Sequence, residues 1–190
     1  MKRIHITGGP GTGKTTLAIA LATRLGLDVL ELDGQGLAHV AELDGVLDFD
    51  ALAQARETES RIFASKDAWI SEGSNILVAR PLLEHADVIV VLYTSWRVAS
   101  YRILSRHVKA SLARRNRFPG LRRLYRFWRW SARFYADTNP GGLNEWGTPT
   151  TQITLETELA PYARKVVRCH SRADIEALLR RLEAADLRPD

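Results

Sequence analysis

The chain contains very little cysteine and no long apolar run, and both absences restrict the kinds of protein it can be. Its 190 residues include a single cysteine, Cys169, so an internal disulfide framework is excluded and a reducing cytoplasm suits the chain. Cys169 lies in an apolar stretch typical of a buried strand. The most hydrophobic run, residues 88–92, is far too short to cross a bilayer. No apolar stretch follows a basic start, so we expect no signal peptide, no membrane partner and a cytoplasmic location.

Acidic residues are absent from one long segment. Residues 88–136 contain no Asp or Glu, whereas the rest of the chain carries 22 acids against 15 cations. The cations of the segment are Arg97, Arg102, Arg106, Lys109, Arg114, Arg115, Arg117, Arg122, Arg123, Arg126, Arg129 and Arg133. A mildly acidic domain with one strongly basic segment needs a polyanionic partner or abundant counter-ions. A nucleic acid is therefore one candidate partner.

A glycine-rich pattern close to the start of the chain is its most informative feature. Residues 8–15 read G-G-P-G-T-G-K-T and fit G-x-x-x-x-G-K-[ST] at Gly8, Gly13, Lys14 and Thr15. An alternating segment typical of a strand precedes the pattern, and a segment with a leucine at every fourth position, typical of a helix, follows it. Strand, glycine loop and helix in this order predict a site for the polyphosphate of a nucleotide.

Each residue type in this loop has a chemical reason. Glycines tolerate positive φ and carry no Cβ, so backbone N–H groups can point at phosphate oxygens, and we expect this of Gly8, Gly9, Gly11 and Gly13. The helix that follows adds its N-terminal partial charge. Lys14 can reach the β and γ phosphates, Thr15 can ligate Mg²⁺, and Thr16 can reach the α phosphate. The predicted ligands are ATP and Mg²⁺, held by Gly8, Gly9, Pro10, Gly11, Thr12, Gly13, Lys14, Thr15 and Thr16.

Strand-like and helix-like segments alternate along the chain. This order predicts one α/β domain over residues 1–190, with a parallel sheet between two layers of helices. The predicted strands cover residues 2–7, 28–33, 68–72, 87–93 and 165–170. The predicted helices cover residues 15–25, 51–66, 81–85, 96–107, 121–135, 151–163 and 172–185. Asp50 is expected to cap the second helix and Pro81 to begin the third, and residues 108–120 to form a basic, mobile connection.

Two carboxylates end predicted strands on the edge where ligands bind in such sheets. Asp33 ends the second strand and Glu72 the third, so either could hold Mg²⁺ through water or take a proton from an attacking hydroxyl. The structural alternative is a strand-end acid with a backbone hydrogen bond. Asp87 begins the fourth strand, on the opposite edge, and is expected to be a solvated or capping acid.

Two arginines after the fourth strand could neutralise the negative charge of a phosphoryl group. Arg102 and Arg106 lie four residues apart and share a helix face, so their guanidinium groups could stack on a base and neutralise a transferring phosphate. A solvated helix face is the alternative. We predict a nucleotide-binding role for Arg102 and a catalytic role for Arg106, beside Lys14, Asp33 and Glu72. Candidate cations of a lid are Arg114, Arg115 and Arg117.

Residues 121–135 interleave arginines with aromatic side chains. Such a segment could grip single-stranded nucleic acid, or it could pack an apolar face on the core and turn its arginines outward. The spacing of Leu121, Leu124, Phe127 or Trp128, and Phe134 favours packing. His170 follows the fifth strand and could line a base pocket, although a loop histidine without a role is the simpler interpretation. The five histidines show no metal-ligand spacing.

The sequence resembles the adenylate-kinase-like P-loop kinases, and among them the small bacterial DNA topology modulation proteins. The resemblance rests on residues 8–15, Leu32 with Asp33, residues 69–73, residues 87–92, Arg102 with Arg106, and the Arg-rich stretch with Trp128 and Trp130. It implies a three-layer P-loop NTPase fold with strand order 2-3-1-4-5. It also implies Arg102 beside the adenine, Arg106 beside the phosphates and an acceptor-binding region over residues 34–66. The basic residues 107–135 are themselves expected to form a helical lid insertion.

Two departures from the family pattern concern the acceptor. Glu72-Gly73 stands where the family has Asp-Gly, and the next arginine, Arg80, follows only eight residues after Glu72. A nucleoside monophosphate acceptor is therefore disfavoured. The first hypothesis is an ATP-dependent kinase for a nucleoside, nucleotide or sugar-like acceptor. A nucleotide-dependent nucleic-acid-binding protein that uses residues 97–135 is the alternative, and a nucleotide-binding regulator without turnover is a third. A GTPase is disfavoured because no N-K-x-D motif occurs.

Overall fold

The protein is described by a computed structural model that covers residues 2–33, 49–116, 119–144 and 147–186. Its strands are β1 (Arg3–Gly8), β2 (Val29–Glu31), β3 (Trp69–Glu72), β4 (Val88–Leu92) and β5 (Val166–Cys169). Its helices are α1 (Lys14–Leu25), α2 (Phe49–Ala64), α3 (Ile76–His85), α4 (Trp96–Leu112), α5 (Leu121–Ala136), α6 (Gln152–Leu159), a 3₁₀ helix (Ala160–Lys165) and α7 (Arg172–Asp186). Part of the expected acceptor region, residues 34–48, lies outside the described residues.

The five strands form one parallel sheet in the order β2-β3-β1-β4-β5, as the resemblance implied. Strand β1 pairs with β3 up to Ile6↔Glu72 and with β4 up to Gly8↔Leu92. This register places the first glycine of the loop between the ends of β3 and β4. The carboxyl edge of the sheet, where ligands bind in this architecture, is therefore the edge that carries the loop.

Helices cover both faces of the sheet and bury two apolar cores. Alternation along the central strand β4 sends Ile89 and Val91 into one core and Val88, Val90 and Leu92 into the other. All five of these side chains are buried, as expected for a strand covered on both faces. The predicted three-layer α/β fold is confirmed. Within the described ranges, no helix is both long enough and apolar enough to span a bilayer.

Helix α3 begins earlier than the sequence predicted. It starts at Ile76, where the side chain of Asn75 accepts a hydrogen bond from the Val78 amide at 3.1 Å and caps the N-terminus. Pro81 therefore lies inside the helix and does not begin it. The prediction was wrong because proline was used as the start signal, whereas the asparagine side chain, which can satisfy a free amide of the first turn, is the stronger one.

Three other boundaries also differ from the prediction. Helix α2 begins at Phe49, so Asp50 lies within its first turn and not at the cap position. Helix α4 continues to Leu112, so the first part of the expected basic connection is helical, and Arg114 follows with a left-handed φ of 53°. The predicted helix over residues 151–163 changes at Ala160 into a 3₁₀ helix with a proline in its first positions, because proline cannot donate the bond that would continue the α-helix.

Candidate nucleotide-binding site

The loop between β1 and α1 requires glycine at several positions. Gly8, Gly11 and Gly13 have positive φ angles of 143°, 77° and 102°. A Cβ added to Gly8 would lie 2.5 Å from the Leu92 carbonyl oxygen, and one on Gly11 would lie 2.8 Å from that of Ala99. Both the backbone angle and the close approach of a neighbouring backbone therefore exclude larger residues. This cradle fits the polyphosphate of a nucleotide, whose oxygens would meet the loop amides.

Gly9 is constrained for a different reason from the one predicted. It is not among the glycines with positive φ. A Cβ at Gly9 would lie 2.5 Å from the ring of Phe134 and 2.9 Å from the hydroxyl of Tyr135. The constraint thus comes from helix α5, which packs directly on the loop, and not from the backbone conformation.

The ammonium group of Lys14 lies over the loop. Its Nζ donates hydrogen bonds to the carbonyl oxygens of Gly8 at 3.1 Å and Gly9 at 3.3 Å. The same atom is 3.7 Å from the carboxylate of Asp33. Because the side chain is largely buried, its charge acts in a medium of low polarity, at the point where the strand β1 ends.

Glu72 is a buried carboxylate directly beside Thr15. The Thr15 hydroxyl donates a hydrogen bond of 2.8 Å to Oε1 of Glu72. Oε2 is buried and has no hydrogen-bond partner among the described residues, and Glu72 as a whole is 1% exposed. Burial raises the pKa of Glu72, while the bond from Thr15 and the charge of Lys14 act in the opposite direction. An orphaned carboxylate oxygen beside a hydroxyl is an oxygen donor set that suits Mg²⁺.

Asp33 is held by a residue that the sequence analysis missed. Oδ1 of Asp33 accepts a hydrogen bond from the Ser74 amide at 2.8 Å. The Ser74 hydroxyl donates to the carbonyl of Gly8 at 2.9 Å and thereby ties Asp33 to the phosphate loop. Asp33 therefore accepts a backbone hydrogen bond, as expected of a strand-end acid with a purely structural role. It also lies near Lys14. The only sequence signal for Ser74 was its place directly after Glu72-Gly73.

The two predicted arginines differ in their surroundings. Nη1 of Arg102 donates to the carbonyl oxygens of Thr12 at 2.9 Å and Gly11 at 3.3 Å, so this side chain lies on the loop. Arg106 is exposed, and no hydrogen bond or ion pair joins it to another described residue. The structure thus brings Arg102 to the site, together with Lys14, Thr15, Asp33 and Glu72, and leaves Arg106 open to solvent.

His170 lies at the same edge of the sheet but not on the loop. Its ring stacks on Tyr93, with the ring centroids 4.4 Å apart and the planes within 10°. Its backbone amide donates to Asp174. Tyr93 directly follows β4, so the pair closes the edge between β4 and β5. Of the described residues, no group of three or more His, Cys, Asp and Glu is arranged to hold a metal ion by itself.

Helix α5 packs its aromatic face on α4 and on the loop. The hydroxyl of Tyr135 donates to the carbonyl of Pro10 at 2.6 Å, and the indole of Trp128 donates to Ser100 on α4 at 2.7 Å. Trp96 contacts both rings, at centroid distances of 5.3 Å to Trp128 and 5.6 Å to Tyr135. The favoured interpretation of this segment, a packing helix with its arginines outward, is confirmed. The packing face is displaced from the predicted one, since Leu121 is 79% exposed.

Comparisons with known proteins agree with this geometry. The model of the AAA family, ATPases associated with various cellular activities, matches residues 4–65. A shikimate kinase from Bacillus cytotoxicus is 32% identical over 114 residues, which cover 54% of this chain and 67% of that protein. The structure of shikimate kinase from Acinetobacter baumannii in complex with shikimate has a TM-score of 0.52 at 16% identity, with 99% of this chain and 96% of that one covered. A candidate kinase from Chloroflexus aurantiacus has a TM-score of 0.50 at 19% identity, with 96% and 97% covered.

The parallel sheet and the glycine cradle define a P-loop nucleotide-binding protein. The chain belongs to the same family as the Bacillus cytotoxicus shikimate kinase, within the P-loop kinases. The two structural matches, at these identities, support the fold alone. The matches bear out the broad resemblance to P-loop kinases and do not support the narrower one to DNA topology modulation proteins.

Proposed function

We propose that the protein is an ATP-dependent kinase that transfers the γ-phosphate to a hydroxyl group of a small molecule. The observation that carries this proposal is the meeting of Lys14, Thr15, Asp33 and Glu72 around one phosphate cradle, at the carboxyl ends of adjoining parallel strands. Membership of the kinase family supports it independently. ATP would lie along residues 8–16, and Arg102, which already contacts the loop, would lie beside its nucleoside.

The two carboxylates have environments suited to different tasks. Glu72 is fully buried and joined to Thr15, so these two residues would hold Mg²⁺, which neutralises phosphate charge when bound. The side chain of Asp33 is 36% exposed, so an acceptor arriving from solution can reach it. Asp33 is therefore assigned the proton-accepting role, and Ser74 is the residue that positions it.

The reaction follows from these positions. The acceptor oxygen forms a bond to the γ phosphorus, the bond between that phosphorus and the bridging oxygen of ADP breaks, and the hydroxyl proton passes to Asp33. Lys14, whose ammonium group already lies between the loop and Asp33, stabilises the charge on the transferred group. Arg106 is assigned the same task from the exposed face of α4. The segment 107–135, which reaches the loop through Phe134 and Tyr135 and not through the arginines of α5, is proposed to close the site.

The acceptor is proposed to be a small polyhydroxylated molecule that binds over residues 34–66. An acceptor nucleotide needs a cation for its own phosphate, yet the residue after Glu72-Gly73 is Ser74, which bonds to Asp33 and Gly8. Because one structural relative is described with shikimate and a sequence relative is a shikimate kinase, hydroxylated carboxylic acids come first in the trial set. Nucleosides, nucleotides and sugars complete it.

The test measures ADP release from ATP in the presence of each acceptor. It compares three proteins: the natural chain, the variant Lys14→Ala and the control variant Lys165→Ala. Lys165 donates to the carbonyl of Glu84 just before β5, at the opposite edge of the sheet. We expect one acceptor class to stimulate ADP release. We also expect Lys14→Ala to reduce that rate by about a hundredfold or more, with Lys165→Ala near the natural rate. The proposal is refuted if no acceptor stimulates turnover and Lys14→Ala behaves as the natural chain does.

Nucleotide binding is tested separately from turnover by thermal unfolding with Mg-ATP. A ligand at a hundred times its dissociation constant stabilises the folded state by about 2.7 kcal/mol. Lys14→Ala is expected to lose most of this stabilisation, while Lys165→Ala keeps it. Stabilisation by ATP without stimulated turnover would support the nucleotide-binding regulator and refute the kinase.

A further inference from the structure

Helix α5 carries a row of arginines on the side that does not pack. Successive residues of an α-helix turn by about 100°, so residues spaced by four, three and four positions form one line along the axis. Arg122, Arg126, Arg129 and Arg133 have this spacing, and all four are exposed. The line lies opposite Ser131, which is completely buried. We call these four residues the arginine row.

The arginine row has no acidic partner among the residues that the structure describes. Ion pairs join arginines and lysines to carboxylates elsewhere in the described residues, but none involves a cation of residues 97–133. Like charges on one surface repel each other, and a bound polyanion relieves that repulsion. The charge of this surface is therefore complementary to a chain of phosphates.

The arginine row does not face the nucleotide site. Phe134 and Tyr135 are the α5 residues that contact the phosphate loop, at Gly9 and Pro10. By helical geometry these two lie on the other side of α5 from the row, so the four guanidinium groups point away from the loop. Closure over the kinase site therefore does not account for the four arginines of the row.

A membrane surface fits this helix less well. A helix that lies on a bilayer inserts its apolar face and keeps its basic face toward the headgroups. In α5 the apolar face is already used, because Phe134 is buried and Trp128 and Tyr135 pack against Trp96. Leu121, Tyr125 and Phe127 are also exposed, but Phe127 lies on a different side of α5 from the other two, so they form no single apolar face that could insert into a bilayer.

The exposed ring of Tyr125 beside the arginine row favours single-stranded nucleic acid as the ligand. Tyr125 is 56% exposed, and the guanidinium group of Arg129 lies 5.8 Å from its ring centroid. Bases stack on exposed aromatic rings beside cations, and only unpaired bases offer their faces in this way. The row spans twelve residues, or about 16 Å along the axis, which is long enough for several successive phosphates.

We propose that the exposed face of α5 binds single-stranded nucleic acid, with the arginine row on the phosphates and Tyr125 under a base. This surface is additional to the proposed kinase site and does not rest on it. Binding is expected whether or not the protein turns over ATP.

The experiment measures fluorescence anisotropy of a labelled twenty-nucleotide poly(dT) and of a duplex of equal length, between about 50 and 200 mM salt. One variant changes all four row residues to Gln. The matched control changes four arginines outside α4 and α5 to Gln and removes the same charge. These are Arg164, Arg172, Arg180 and Arg181, all exposed.

The arginine row predicts a defined salt response. Four phosphate contacts on a single strand contribute a slope of about −3 to log K against log salt, so the row variant is expected to lose that slope and about tenfold or more in affinity at 100 mM salt. The control variant should keep the natural slope. Tyr125→Ala should lower poly(dT) affinity about fivefold without changing the slope, because stacking releases no counter-ions.

Several outcomes would overturn the proposal. These are no binding of poly(dT) at about 50 mM salt, an equal loss in the control variant, duplex binding as tight as poly(dT) binding, and binding to vesicles of anionic lipid with none to poly(dT). Thermal melts show whether each variant folds. If the fourfold variant does not, the pair Arg122→Gln with Arg126→Gln and the pair Arg129→Gln with Arg133→Gln should each remove about half of the slope.

Discussion

A histidine buried under the phosphate loop influences the charge of the site. His5 is inaccessible to solvent, and its Nδ1 lies 2.9 Å from the hydroxyl of Ser71, its register partner on β3. Burial lowers the pKa of His5 to about 4, the carboxylate of Asp33 acts in the opposite direction, and Lys14 lowers the value further. His5 is therefore neutral near pH 7 and adds no second positive charge behind Lys14.

This histidine makes folding stability depend on pH. Between its unfolded pKa of 6.5 and its folded pKa of about 4, the unfolded chain binds the proton and the folded chain does not, so stability falls as the pH falls through this window. Between pH 7 and pH 4, His5 alone is expected to lower the free energy of unfolding by about 3 kcal/mol. Urea unfolding at several pH values measures it. His5→Gln should lack this component, and parallel pH curves for the two chains would contradict the assignment.

A second prediction at the residue scale concerns Gly9. Because the three atoms nearest to a Cβ there belong to the side chains of Phe134 and Tyr135, Gly9→Ala is an overpacking change that costs about 1–3 kcal/mol of unfolding free energy. A double-mutant cycle with Phe134→Leu, in chemical denaturation, isolates the clash. The alanine should cost clearly less when leucine replaces the ring, since a smaller side chain leaves room. Strict additivity of the two changes would show that the two positions do not interact.

At the scale of elements, α5 joins two parts of the chain that are distant in sequence. Its aromatic face packs on α4 through Trp128 and reaches the phosphate loop through Tyr135. Burial raises the pKa of Tyr135, so the hydroxyl keeps its proton and remains a hydrogen-bond donor to Pro10. The loop that is proposed to bind ATP is therefore supported by a helix of the basic segment.

Removal of this one hydroxyl tests how much the contact contributes. Tyr135→Phe keeps the ring against Trp96 and leaves the Pro10 carbonyl without its donor, so we expect a loss of about 1 kcal/mol in unfolding free energy. Tyr125→Phe is the matched control, because that tyrosine lies on the same helix and is largely exposed, and its effect should stay within about 0.5 kcal/mol. Equal effects of the two variants would mean that the hydrogen bond does not contribute.

At the scale of the whole molecule, the parallel sheet supports everything else. Strands β1 and β4 have neighbours on both sides, whereas β2 and β5 are its edges. The loop follows β1, Glu72 ends β3 and α4 follows β4, and all three are interior strands, so Lys14 and Glu72 lie on the most deeply packed part of the fold. Asp33 is the exception, since it follows the edge strand β2.

Hydrogen exchange should reveal this gradient. Amides of β1 and β4 are expected to exchange only through global unfolding, and those of β2 at least about tenfold faster, because an edge strand opens without disrupting both cores. Mass spectrometry of peptides from each strand gives the rates. Binding of Mg-ATP should slow exchange in the loop and leave β5 little changed. Protection of β2 equal to that of β4 would contradict the proposed gradient.

The local pattern of residues determined the phosphate loop and the architecture around it. Glycine conformation, a lysine and a threonine at fixed spacing, and the alternation of strands and helices are short-range properties, so residues 8–15 and the parallel fold could be read before any contact was known. The strand order came through the resemblance to P-loop kinases. The places of Asp33 and Glu72 followed from one rule about the edge of the sheet.

Only the tertiary structure decided which side chains surround that loop. Pro10 and Tyr135 are 125 residues apart, and Gly8 and Ser74 are 66 apart, so no spacing in the sequence links either pair. The packing face of α5 also had to be found in space, because aromatic residues occur almost all around the helix and only contact with α4 and the loop selects Trp128, Phe134 and Tyr135. The phosphate loop depends on residues that are adjacent in the sequence and can therefore be predicted from it. The packing around the loop depends on which distant segments the fold brings together.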